Sequence, residues 1–315
     1  MKEFDGIQIL KDVRGEELVF DPCHTPVTVR HLLSHTSGLG YKFTNRLLGM
    51  RAALKLKQDG PTSWAVHERF KAPLVFEPGT GWLYGSGYDW AGVVVRRLND
   101  NVHFGDYLIE NVWKPLGLTA PFPCFNIKTH PEYYARAMGG CYRQPDGSIK
   151  ALEDWSFQNP EDTDGGSGLS ATTKDFVAVL GDMVSQSPKI LKAETWDLLF
   201  EPQLKPDTPA MQQLIALRVA WDTIAGPIDE KDINHGLGGV ICMADIPELK
   251  QPKGMTGWGG ATNIIWWACR EEGVAGFFAT QQGPFGNPNV RPLVNAWKKD
   301  LWTTYLDRKK TTSQD

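Results

Sequence analysis

Four consecutive large apolar residues, Ile264-Ile265-Trp266-Trp267, read as a strand buried on both faces, because a half-exposed strand would alternate apolar with polar side chains. The neighbouring sequence agrees: Leu237 to Met243, Ala261 to Cys269 and Gly273 to Thr280 are strand-like. Arg291 to Leu306 then closes the chain as an amphipathic helix with Leu293, Val294, Trp297, Leu301 and Tyr305 inward. Helices dominate the earlier part. Thr28 caps a short helix through His35, with Gly38 as its stop. Phe43 to Gln58 places Leu47, Leu48, Ala52 and Leu56 on roughly one face and ends at Asp59-Gly60-Pro61. Asp89 to Asn99 and Phe104 to Leu116 follow, the latter interrupted at Pro115; a further helix is capped by Thr172 or Thr173, and Ala193 to Phe200 is a short one. Two hairpins are expected, one around Arg14-Gly15 and one from Tyr134 to Leu152 around Pro145-Asp146-Gly147. Helices in the middle, antiparallel strands late and a terminal helix make an α/β chain of the α+β type.

Composition removes several functions. The formal charge of −4 gives no basic footprint for nucleic acid, and no Lys/Arg block suggests a membrane surface. No apolar run approaches the roughly 18 residues of a spanning helix, and Met1-Lys2-Glu3-Phe4-Asp5 lacks a signal-peptide core. Cys23, Cys124, Cys141, Cys242 and Cys269 are an odd set without CxxC spacing, which points to reduced thiols in a cytoplasmic protein. Twelve tryptophans serve either the core or a cleft lined for apolar or acyl ligands.

The chemistry centres on Phe76-Glu77-Pro78-Gly79-Thr80-Gly81-Trp82-Leu83-Tyr84-Gly85-Ser86-Gly87. A phenol among glycines sits where backbone and ligand approach closely, and a tyrosine coupled to a lysine can take a proton from a serine nucleophile. A Tyr-Gly pair in a loop is by itself most often packing, so the neighbours decide. Thr28-Val29-Arg30-His31-Leu32-Leu33-Ser34-His35-Thr36-Ser37-Gly38-Leu39, then Phe76-Glu77-Pro78-Gly79 leading to Tyr84-Gly85-Ser86, then Gly165-Gly166-Ser167-Gly168-Leu169, then Trp258-Gly259-Gly260-Ala261 running into Trp266-Trp267, occur in that order. This series resembles the serine β-lactamase-like superfamily of class C β-lactamases, penicillin-binding proteins, esterases and transesterases.

The resemblance implies a mainly antiparallel sheet flanked by helices, with a helical subdomain (about 28–120) set over the sheet part (about 230–306). It makes residues 1–308 a single domain and 309–315 a loose tail. It implies acyl transfer by a serine in Ser-x-x-Lys, with no cofactor and no metal. Tyr84 would be the proton-transfer tyrosine and Ser86 its polar neighbour on the cleft. Trp258-Gly259-Gly260 would replace Lys-Thr-Gly, with the Ala261 N–H as a candidate oxyanion donor. Met255-Thr256-Gly257 offers a competing register. Either register lacks the lysine that helps hold a β-lactam carboxylate, which fits an ester or acyl substrate better.

The chain departs from the pattern in one respect: none of its lysines has a Ser or Thr three positions earlier, and no Gly-x-Ser-x-Gly elbow replaces that motif. The resemblance then implies either a shortened form of a longer enzyme, with an open sheet edge, a terminal helix short of a packing partner and poor solubility, or a chain that forms no acyl-enzyme. Other signals are weaker. His31 and His35 lack a zincin glutamate, Asp162 and Asp164 read as solvated loop carboxylates, and Gly165 to Gly168 lacks a P-loop lysine. The expectation is an acyltransferase or ester hydrolase taking a small-molecule ester or thioester, a carrier-bound acyl donor included, most similar to fungal transesterases of secondary metabolism. The alternative is a non-catalytic relative that binds an acyl ligand or a protein partner.

Overall fold

The computed structural model describes residues 1–59, 65–152 and 162–312. Gly60-Pro61, the expected end of the second helix, and residues 313–315 of the expected tail lie outside these.

β1 (Gln8–Arg14) and β2 (Glu17–Pro22) form the first expected hairpin, with Gly15 in the left-handed region at its turn. In α1 (Val29–Leu33), the Thr28 hydroxyl accepts from the His31 N–H at 3.2 Å while His31 Nδ1 accepts from the Thr28 N–H at 3.4 Å. This reciprocal cap satisfies two donors that a helix start leaves unpaired. α2 (Arg46–Asp59), α3 (Val66–Arg69), α4 (Gly87–Leu98) and α5 (Phe104–Leu108) complete the first helical region. The helix expected from Phe104 to Leu116 is shorter: α5 passes at Ile109 into a π-helical turn that ends at Trp113, before Pro115. α6 (Pro131–Tyr134) precedes the second hairpin, β3 (Gly140–Arg143) and β4 (Ile149–Leu152). α7 (Thr173–Val184), capped by Thr172 and Asp175, and α8 (Ala193–Leu198) follow.

The late sheet has five antiparallel strands in chain order: β5 (Ile233–His235), β6 (Val240–Cys242), β7 (Thr256–Gly260), β8 (Ile264–Cys269) and β9 (Val274–Phe278). The strand expected from Ala261 to Cys269 begins only at Ile264, and Trp258 to Gly260 belong to the strand before it. Ala261-Thr262-Asn263 turns between β7 and β8, with Asn263 in the left-handed region at φ 57°, a conformation asparagine tolerates. Two helices, α9 (Pro209–Ala216) and α10 (Arg218–Ala225), precede this sheet in a stretch with no readable pattern. β10 (Gln282–Gly283) joins β3 and β4 in a small second sheet, and α11 (Arg291–Thr312) ends the described chain.

β8 is covered on both sides, as its composition requires. Trp267 packs with Trp221, Ile224, Val294 and Trp302 on the α10–α11 side, stacking on Trp302 at 5.2 Å. Such an aromatic pair contributes about 0.5–1.5 kcal/mol beyond its buried area. Trp266 and Ala268 pack against Leu180, Met183 and Trp196 of α7 and α8. α11 is well seated, with Val294, Lys298 and Trp302 fully buried. It also runs to Thr312, four residues into the stretch expected to be loose, and Lys309 there pairs with Glu272 at 2.7 Å.

Lys298 is a buried amine in this apolar layer. Its Nζ donates to the carbonyls of Ile224 and Ala225 at the end of α10. Burial pushes its pKa down to about 8 from an ordinary 10.5. The unfolded chain therefore holds this proton more tightly than the folded one, and stability rises as pH increases between those two values. The full rise is about 3 kcal/mol. Lys298→Met is expected to abolish it, as seen in the wild-type-minus-variant difference in urea unfolding from neutral pH to about pH 10. A difference independent of pH would contradict the assignment.

Candidate active site

The segment from Phe76 to Gly87 is clamped to the chain just after α1 and to α9. The Leu83 N–H donates to the His35 carbonyl at 2.9 Å, and the Trp82 N–H donates to Gln213 Oε1 at 2.6 Å. A Cβ on Gly85 would lie 2.2 Å from the Leu39 carbonyl oxygen, and one on Gly87 would lie 2.1 Å from that of Leu32. Only glycine allows this approach, which sinks the turn between them. Ser86 is consequently buried, 1% exposed, with an unpartnered hydroxyl. It lies behind Tyr84, not on the cleft surface where the resemblance puts it.

Tyr84 itself is half-buried and reaches the cleft. Its ring lies 5.5 Å from Trp258, 5.3 Å from Tyr41 and 5.2 Å from His35. His35 leaves the helical path at φ 57° and is buried among Trp82, Tyr84, Tyr88, His235 and Trp258, so it shares no metal-binding face with His31. Burial holds both His35 and His235 neutral, the latter with its pKa pushed down to about 4. Among the described residues no group of three His, Cys, Asp or Glu side chains could hold a metal ion.

Burial raises the Tyr84 pKa above 10, and the charge of Asp89 adds to this; hydrogen bonding from the Trp258 side chain pulls the other way. Asp89, on α4, is fully buried. Its carboxylate accepts from the Tyr41 hydroxyl at 2.7 Å and from the Gly166 N–H at 3.1 Å. Gly165 packs so tightly that a Cβ would meet the Tyr88 carbonyl at 2.1 Å. The Gly-Gly-x-Gly loop therefore braces α4 beneath the tyrosine. Asp162 and Asp164 belong to the same brace, pairing with Arg96 and Arg69. They are ion-pair partners, Asp164 buried and Asp162 partly so, and not solvated loop carboxylates, because the loop is pressed against α3 and α4. Asp89→Asn is expected to lower the pH at which Tyr84 ionises. The check is ultraviolet difference titration against Tyr84→Phe, and an unchanged or higher titration pH would contradict it.

Tyr84, Trp258, Gly259, Gly260 and Ala261 line one cleft of about 1960 Å³. Of the two possible registers only this one reaches it, since Met255 and Thr256 are fully buried. Phe176, Trp266 and Phe277 give the cleft an apolar wall, and Phe70 lines it near Tyr41. Tyr41 and Asp89 were not singled out by the sequence reading; the available signal for Asp89 was an acid beside Trp90 in an otherwise apolar helix start. Tyr41 had none.

The Beta-lactamase family profile matches residues 18–296. Acyltransferase calJ of Penicillium decumbens is 60% identical over 305 residues, covering 97% of this chain and 73% of that protein. Monacolin J acid methylbutanoyltransferase of Aspergillus terreus is 29% identical over 283 residues, covering 89% of this chain and 68% of its own length. The unliganded structure of simvastatin synthase (LovD) from Aspergillus terreus superposes with a TM-score of 0.84 at 27% identity, covering 96% of this chain and 76% of that one. With its serine β-lactamase-like fold, the chain belongs to the Beta-lactamase family.

Proposed function

We propose that this chain is an acyltransferase of the transesterase kind, with ester hydrolysis as the competing reaction, working through a serine acyl-enzyme on a small secondary metabolite. The observation that carries the reading is the Tyr84 hydroxyl beside Trp258 on the wall of a large, partly apolar cleft. In this reading the nucleophile's oxygen bonds to the acyl carbonyl while Tyr84 takes its proton, and the departing alcohol or thiol leaves with that proton. An acceptor hydroxyl then repeats the exchange in reverse. Ala261, where the chain turns out of β7, offers its N–H to the developing oxyanion, and Gly259 and Gly260 line the cleft beside it. The 315 residues contain no Ser-x-x-Lys.

The names of relatives support the substrate class: one transfers a methylbutanoyl group to monacolin J acid, and another is a lovastatin esterase of Penicillium rubens. The donor is a small acyl ester or thioester, a carrier-bound one included, and 1–308 act as one domain. No described helix is long and apolar enough to cross a membrane, and the five free cysteines support a cytoplasmic setting.

A second reading, a non-catalytic acyl-ligand binder, is favoured by the missing Ser-x-x-Lys. Three measurements on the purified chain separate the two: calorimetric binding of an acyl thioester, fluorophosphonate labelling, and acyl transfer to a monacolin-type alcohol. Labelling with transfer supports the acyltransferase. Binding without either supports the binder, and no binding at all sinks both.

A further inference from the structure

We propose that the wall of the cleft formed by α2 and the residues around it is a subsite for an anionic group, a carboxylate or a phosphate monoester, carried by the substrate at a distance from its reacting carbonyl. This rests on the reading of the cleft as a site for acyl substrates and names a substrate class for it.

The first observation is a charge inversion. The chain carries a formal −4. Yet among the described residues the cleft is lined by Lys42, Arg51, Lys55, Arg69, Lys71 and Arg136, against Glu68 and Asp164. Asp164 is already paired with Arg69, and Glu68 faces His67 at 3.8 Å. A concave surface dominated by one sign of charge concentrates ligands of the opposite sign.

The second observation concerns Arg51. It is half-buried, and among the described residues no carboxylate or other acceptor engages its guanidinium. Burial alone acts on it and pushes its pKa down. Taking an unpaired charge out of water is costly, so such residues normally bring their own partner. Lys55 sits one turn further along α2 and lines the same cleft, and like charges four residues apart weaken a helix. A helix designed only for packing would gain nothing from this arrangement. An oxyanion arriving with the substrate supplies the missing partner, and a guanidinium fork with an ammonium beside it suits both carboxylate and phosphate.

The third observation is the polarity of the cleft. The reacting end at Tyr84 and Trp258 adjoins the apolar wall of Phe176, Trp266 and Phe277, while Arg51 and Lys55 line the cleft from α2. A volume of about 1960 Å³ exceeds the ~300–1,000 Å³ of common small-molecule sites. It has room for an acyl group at one place and a charged group at another.

Two sources carry such an anion, and paired ligands separate them. A hydroxylated carboxylic acid acceptor is compared with its methyl ester, and an acyl-pantetheine 4′-phosphate with the unphosphorylated acyl-pantetheine. Dissociation constants are measured by calorimetry for the full chain, Arg51→Gln and Lys55→Gln, at low and high salt. The anionic member of at least one pair is expected to bind at least about tenfold more tightly, an advantage reduced by salt and by either substitution. The neutral members should bind all three proteins alike. Arg51→Gln should melt no lower than the wild type, because the guanidinium it removes has no partner; a purely structural arginine would lower it. Equal binding of charged and neutral members overturns the subsite while leaving the acyl cleft intact. If no member of either pair binds, both readings fall.

Discussion

Replacing Tyr84 by phenylalanine is expected to lower kcat/KM for acyl transfer about 10²–10⁴-fold, the usual contribution of a positioned acid–base group. The phenyl ring keeps its packing against Trp258, Tyr41 and His35, so only the hydroxyl is lost. The fall should therefore lie in kcat, with KM and ligand binding nearly unchanged. The tyrosine's environment adds a condition. Burial and the Asp89 charge raise its pKa above 10, so at neutral pH the resting phenol holds its proton. The Trp258 hydrogen bond offsets this only in part, since the net direction remains upward. Tyr84 therefore needs a nearby cation, or a concerted relay, to act as a base. If Tyr84→Phe changes kcat/KM less than about threefold, Tyr84 is not the proton carrier.

Much of this arrangement is written in local sequence. Thr28 and His31 cap α1 because a hydroxyl and an imidazole three residues apart can reach each other's backbone N–H groups. Ile264 to Trp267 needs cover on both faces and receives it from α11 and α10 on one side and from α7 and α8 on the other. Other features depend on contacts that no window of sequence contains. α9 begins with Thr208 capping and Pro209 in its first turn, but its inward face depends on Trp82, far away in the chain. The burial of Ser86 follows from carbonyls of Leu32 and Leu39, in a segment far earlier in the chain. Asp89 is intelligible only once Tyr41 and Gly166 are seen to converge on it. The motif residues of the site were visible as a series; the residues that hold them were not, because each bracing contact joins segments distant in sequence.

Gly87→Ala tests how far the site depends on that bracing. Gly87 opens α4, and helix propensity alone predicts that alanine would stabilise it by about 0.5–1 kcal/mol. The packing predicts the opposite. A Cβ at this position would stand 2.1 Å from the Leu32 carbonyl oxygen and 3.0 Å from its carbonyl carbon. These are backbone atoms at the end of α1 and cannot rotate away, so α1 and α4 must separate. Overpacking of this kind typically costs about 1–3 kcal/mol, which exceeds the propensity gain. Gly181, in the interior of α7, is the control, because nothing lies within 4 Å of where its Cβ would go. Gly181→Ala should follow propensity and raise stability by up to about 1 kcal/mol, while Gly87→Ala lowers it. Separation of α1 from α4 also moves Tyr84, which sits three residues before Gly87, relative to Trp258 on β7. A displacement near 1 Å at a reacting group costs about 10²-fold in rate, so Gly87→Ala should lose activity even well below its melting temperature. Urea unfolding and acyl-transfer rates measured on both variants decide the matter. If the two alanine variants are stabilised alike, the close approach of α1 and α4 at Gly87 is not what holds the tyrosine in place.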